Sequence, residues 1–150
     1  MVAPRVPSPA FRHDVARWVF GLPVAAAFGF TFDELANGRS VTRLAWHPRH
    51  SHMPGAFQAN PIASLADFTG ASAAMTLLPV GDVGVTMDYT VKFLAEASGD
   101  ELVARGHVLR PGRTITVANV DVYAVSGLTE TLCAAALVTI RNIVSEHQPA

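Results

Sequence analysis

The chain has 150 residues, half of them hydrophobic, with 15% charged and a net charge of −1. That length is enough to bury a real core, and the composition excludes a disordered chain and a basic nucleic-acid-binding surface. Sparse charge also leaves little to solvate a large free surface, so burial of apolar residues in a homo-oligomer is expected.

The first nine residues, MVAPRVPSP, are proline-rich and read as extended. Phe11, Val15, Trp18 and Val19 then recur at helical spacing, predicting a helix from Pro9 to about Phe20, capped by Ser8. The segment LPVAAAFG either extends that helix past Pro23 or starts a second short one. The greasy run Trp18–Phe32 imitates a signal-peptide core, but Gly21, Pro23 and Gly29 interrupt it and Asp14 precedes it. No apolar run reaches the ~18–20 residues of a membrane span. GFTFDEL and RSVTRLAWH read as strands joined at Asn37-Gly38, a strong hairpin signal.

A polar loop follows, with His47, His50 and His52. Their spacing fits neither one helical face nor a zinc pattern, so no metal is expected. Asn60-Pro61 reads as a helix start, with Asn60 as cap and Pro61 in the first turn. That helix runs to about Leu78 and is built of small residues, suited to close wrapping by a curved sheet. Asp67 is the single acid within it. An acid buried without partners is expensive, which favours a functional role there.

Everything beyond reads as strand. In VGVTMDYTVKFL, Val85, Met87, Tyr89, Val91 and Phe93 fall on one face and Asp88, Thr90 and Lys92 on the other. ELVARGHVLR and TITVANVDVYAV flank a turn with Pro111-Gly112 at the centre of a type II geometry. ETLCAAALVTIRNI is almost continuously apolar, as when both faces are covered, and the tail from Ser145 reads as frayed. The lone Cys133 cannot form an intramolecular disulfide, which suits a cytoplasmic setting, and it reads as an inert core residue. No linker or repeat appears, so residues 1–150 are expected to form one α+β domain, with a core of about 25–143 and an N-terminal helical extension over 1–24.

SLADFTG on the central helix, VTMDYTVKFLAEASGDELVARGHVLRPGRT through the next strands and VANVDVYAVSG after them resemble the hotdog-fold acyl-CoA thioesterases. The likeness is to the phenylacetyl-CoA and 4-hydroxybenzoyl-CoA thioesterase branch, and it runs from roughly Phe28 to Ile143. It implies a curved antiparallel sheet wrapped around one long helix, assembled as a homodimer or homotetramer. It also implies hydrolysis of an acyl-CoA or aryl-CoA thioester to free acid and coenzyme A, with no separate cofactor. In that family a His-Gly-Gly helix start lies nine residues before the catalytic acid, counted from the His. Here the acid is Asp67 and the tripeptide is Gln58-Ala59-Asn60.

Asp67 is thus expected to act as nucleophile or general base, with helix-start amides at Ala59 and Asn60 polarising the carbonyl. His52, six residues before Gln58, occupies a position where the family often carries a polar side chain near the carbonyl or water. Arg110 and Arg113 suit the phosphates of coenzyme A, and Thr86 and Asp88 approach the pantetheine arm or the site. Two other readings compete. The altered helix start suits a non-catalytic acyl-CoA-binding or assembly domain. A hotdog hydratase would need a His on the central helix, which this helix lacks.

Overall fold

The computed structural model describes residues 8–145. The expected extended stretch at residues 1–7 and the tail at 146–150 lie outside the described residues. Two short helices, α1 (His13–Phe20) and α2 (Pro23–Phe28), lead into the hairpin of β1 (Thr31–Ala36) and β2 (Arg39–Ala45). A single 3-10 turn (Pro48–His50) and a small hairpin, β3 (Ser51–Met53) with β4 (Ala56–Phe57), precede the long helix α3 (Ala59–Met75). Four long strands complete the chain: β5 (Val83–Phe93), β6 (Glu101–Arg110), β7 (Ile115–Ser126) and β8 (Thr129–Ile143). The main sheet is antiparallel in the order β1-β2-β6-β7-β8-β5, so β1 and β5 are its edges.

Helix α3 packs against this sheet, and its small residues explain the closeness. A Cβ on Gly70 would lie 2.7 Å from Val138 Cγ2 and 3.2 Å from Val120 Cγ2, inside any normal contact. Leu65, Ala66, Thr69 and Ala73 are fully buried beside it. The Thr69 hydroxyl donates to Leu65 O at 2.6 Å and pairs with Thr42 Oγ1, also at 2.6 Å, so its polarity is satisfied inside the core. Asn37 and Gly38 both take positive φ (52° and 75°), the backbone of the expected two-residue hairpin turn.

Several local expectations are corrected. The first helix begins at His13, not Pro9: Arg12 is its N-cap and donates its N–H out of the helix, to Leu35 O at 2.8 Å. Ser8 accepts from Ala10 N–H in a local turn instead of capping a helix. Arg12 also donates to Thr76 O (2.8 Å) and Leu78 O (2.9 Å), so a guanidinium on the N-terminal arm satisfies carbonyls just past α3. α3 itself stops at Met75, not Leu78. Gly112 lacks the positive φ a type II turn requires. Asn142 Nδ2 instead donates to Gly112 O (2.8 Å) and Arg113 O (3.3 Å), holding that connection open.

The alternation expected along β5 is broken by a bulge between Thr86 and Asp88. Thr86 opposes Ile140, whereas Tyr89, Val91 and Phe93 oppose Val138, Ala136 and Ala134. Those four β8 residues are buried on the helix-facing side, and directly opposed residues share a face. Val85 and Tyr89 therefore lie on opposite faces, because the extra residue shifts the parity. Among the described residues only the helix-facing side of β8 is covered; Leu137 on the other side is 49% exposed.

Candidate functional site

Asp67 projects from the middle of α3 toward edge strand β5, where Thr86 Oγ1 donates to its carboxylate at 2.7 Å. Burial raises the pKa of Asp67 above the usual carboxylate range, and the Thr86 hydrogen bond opposes that rise. The carboxylate is half-buried, and it opens on two sides. One opening is a cavity of about 460 Å³ at the sheet edge, lined by Asp67, Thr86, Met87, Asp88, Tyr89 and Thr90. The other is an apolar groove of about 210 Å³ running along α3 beneath α1. The bulge at Met87 is what turns Thr86 inward while Asp88 and Tyr89 remain at the mouth.

The start of α3 is exposed. Its N-cap is Gln58, with an extended backbone and no side-chain cap, so Asn60 sits inside the first turn and does not cap it. Gln58 N–H bonds His50 O at 2.8 Å, which fixes Gln58 as the last extended residue, and the helix begins at Ala59, earlier than the Asn60-Pro61 signal implies. The first-turn amides of Ala59 and Asn60 are the donors on offer, since Pro61 has none. Asn60 and Asp67 share a helix face but lie about 10 Å apart along the axis.

The expected site residues therefore separate into groups. Asp67, Thr86 and Asp88 are brought together. Gln58, Ala59 and Asn60 form an exposed helix end, and His52 is exposed on β3. Arg110 and Arg113 are exposed at the β6–β7 connection and line neither cavity at Asp67. The histidines have different surroundings. His47 Nδ1 accepts from Arg49 N–H, while His50 is buried with Nε2 3.2 Å from Phe28 O. Burial, reinforced by the Arg49 charge, lowers the His50 pKa, which marks a neutral core imidazole. Cys133 is buried, its thiol pushed up to about 11 by burial and donating to Val122 O, an inert thiol as expected.

Sequence reasoning missed Met87 as a bulge residue, and Trp18, Phe68 and Ala71 as lining of the groove. The spacing of Asp67, Ala71 and Met75 on one helical stripe was the available signal for the groove.

Comparison with known proteins bears on the fold and on family likeness. Residues 61–131 match the family model of the thioesterase superfamily. A thioesterase family protein from Silicibacter pomeroyi superposes with a TM-score of 0.83 at 26% identity, covering 88% of this chain and 97% of that one. The phenylacetic acid degradation protein PaaI from Thermus thermophilus, as an N33D mutant, shares the fold at a TM-score of 0.68 and 22% identity, over 80% and 98% of the two chains. A curated protein from Saccharolobus solfataricus, named as a supposed esterase, is 29% identical over 123 residues, 80% of this chain and 79% of its own. Sequence match, sheet order and solved neighbours agree: the chain has the hotdog fold and is similar to the thioesterase superfamily.

Proposed function

We propose that the protein hydrolyses an acyl-CoA or aryl-CoA thioester to the free acid and coenzyme A, with Asp67 as nucleophile or general base. The observation that carries this reading is the Asp67 carboxylate itself: raised by burial, held by one hydroxyl, and open to a cavity at the sheet edge. In its ionised form it attacks the thioester carbonyl carbon or takes a proton from the attacking water. The carbonyl oxygen gains negative charge, the C–S bond breaks, and the thiolate leaves to be protonated as free coenzyme A; where Asp67 itself attacks, water then cleaves the acyl–Asp67 anhydride to release the acid and restore the carboxylate.

An oxyanion needs donors about 3 Å from where its charge forms. The chain's own Ala59 and Asn60 amides are too far along the helix from Asp67 to meet the same carbonyl. The donors in this reading come from the exposed helix start of a second copy. Edge strand β5 supports that assembly, since its outer edge is unpaired among the described residues, with Val85, Met87, Tyr89 and Phe93 about half exposed. Arg110 and Arg113 are exposed and suit the coenzyme A phosphates.

Release of free thiol from a panel of acyl- and aryl-CoA esters tests the reading, with Asp67→Asn beside the wild type. The expected result is wild-type turnover that falls ~100-fold or more in the variant, a usual general-base contribution. Equal rates would remove Asp67 from the chemistry. Absence of turnover, with an acyl-CoA still raising the melting temperature, would favour a binding domain.

A further inference from the structure

The groove beside Asp67 abuts a second cavity. It runs along the α3 stripe Asp67, Ala71, Met75, with Phe68 and Leu22 beside it, and Trp18 of α1 on its outer side. Beyond it, between α1 and the α3–β5 connection, lies a second cavity of about 350 Å³. Trp18 and Met75 line both, so these two side chains stand where the cavities meet. The contrast in lining is informative. The groove is apolar except at the Asp67 end, where Thr86 lies, and at the buried Ser72, whereas the second cavity carries Asp14, Arg17 and Asp82.

We propose that the groove is the acyl chamber, that it takes unbranched apolar acyl groups, and that Trp18 and Met75 together set the chain length it admits. The proposal rests on the thioester-hydrolase reading and names its substrate class. An acyl carbonyl at Asp67 has two ways to project its substituents. The sheet-edge cavity is polar, with Asp88 and Thr90 in its lining, and suits the pantetheine side. The groove suits hydrocarbon, because moving methylenes from water to an apolar wall is favourable in proportion to the area covered.

The eight helical steps from Asp67 to Met75 span about 12 Å. An extended chain advances about 1.2 Å per bond, so about ten bonds fit before the chain meets Trp18 and Met75. Octanoyl to decanoyl groups therefore fill the groove, and longer ones must displace Trp18. That side chain is 40% exposed on α1, so it can be truncated at little cost to the core.

The test is kcat/KM for straight-chain acyl-CoA esters from acetyl to hexadecanoyl, with wild type, Trp18→Ala and Ala71→Phe. The wild type is expected to peak at octanoyl to decanoyl. Trp18→Ala joins the two cavities and moves the peak to dodecanoyl or longer. Ala71→Phe fills the groove one helical turn from Asp67 and lowers the decanoyl-to-acetyl ratio at least tenfold, since even one methylene site in a pocket discriminates by roughly 10–200-fold. Circular dichroism confirms that each variant is folded. Wild-type turnover with a chain-length profile that neither substitution moves would overturn the chamber and leave the hydrolase reading standing. Should the wild type turn over no thioester, that reading fails, and calorimetric binding of decanoyl- and acetyl-CoA decides the chamber separately. A preference for decanoyl-CoA that Ala71→Phe abolishes supports it; equal affinities overturn it.

Discussion

Replacing Thr86 by Val keeps the shape of the side chain and removes the one hydroxyl that, among the described residues, donates to Asp67, at 2.7 Å. A hydrogen bond to a charged group is worth about 1.5–3 kcal/mol, which is roughly a 10- to 150-fold change in an equilibrium constant. That bond favours the ionised carboxylate, so its loss raises a pKa that burial has already raised. The acid limb of the kcat/KM–pH profile should move to higher pH. On that limb the variant should be roughly 10- to 150-fold slower than the wild type, and the gap should narrow as alkali restores ionisation. The assay is thiol release across a pH series with one acyl-CoA, controlled by the melting temperature of both proteins. A uniform loss of rate with an unmoved acid limb would refute the reasoning. It would mean that Thr86 serves by contact with substrate or by holding β5, and not by tuning the acid.

Three further outcomes follow from the same structure. Because burial raises the folded-state pKa of Asp67, its ionisation opposes folding: that contribution favours the native state below the unfolded pKa and is lost as pH rises through the folded one. Asp67→Asn should therefore melt higher than the wild type at pH 7, with the difference shrinking toward pH 4 in a thermal scan. Gly70→Val puts carbon within 2.7 Å of Val138 Cγ2, and overpacking of this kind costs about 1–3 kcal/mol or more. A fall in melting temperature of at least about 2–4 °C is expected, as for each 1 kcal/mol in a chain of this size. Cys133, with its thiol near 11 and no exposure, should resist a thiol reagent at pH 8 in the native protein and react fully in denaturant.

What could be read from the sequence was local or periodic. Asn37-Gly38 announced its turn because two positive φ angles in succession are a property of those residue types. The small-residue character of α3 announced close packing, and Gly70 against Val138 is its physical expression. The start of α3 was misplaced because Asn60-Pro61 is a strong local signal, but Gln58 N–H to His50 O is a contact across the β3–β4 hairpin that no local signal encodes. The β5 bulge was hidden for a similar reason: it exists only as a mismatch of count between β5 and β8. Asp67 stood out as an isolated acid, yet its partner Thr86 and the groove under Trp18 depend on how α1 and β5 fold back over α3.

The bulge at Met87 has a consequence for how this strand can vary. Thr86 faces the acid and Tyr89 keeps to the same side of the sheet because one residue is surplus between them. Substituting Met87 changes a half-exposed side chain, whereas deleting it would reverse the facing of every residue on one side of the gap. Over this stretch, then, inheritance must preserve the spacing of the chain more strictly than its spelling. Relatives that keep an acid at this helix position are best aligned by counting from the bulge, not by matching letters along β5.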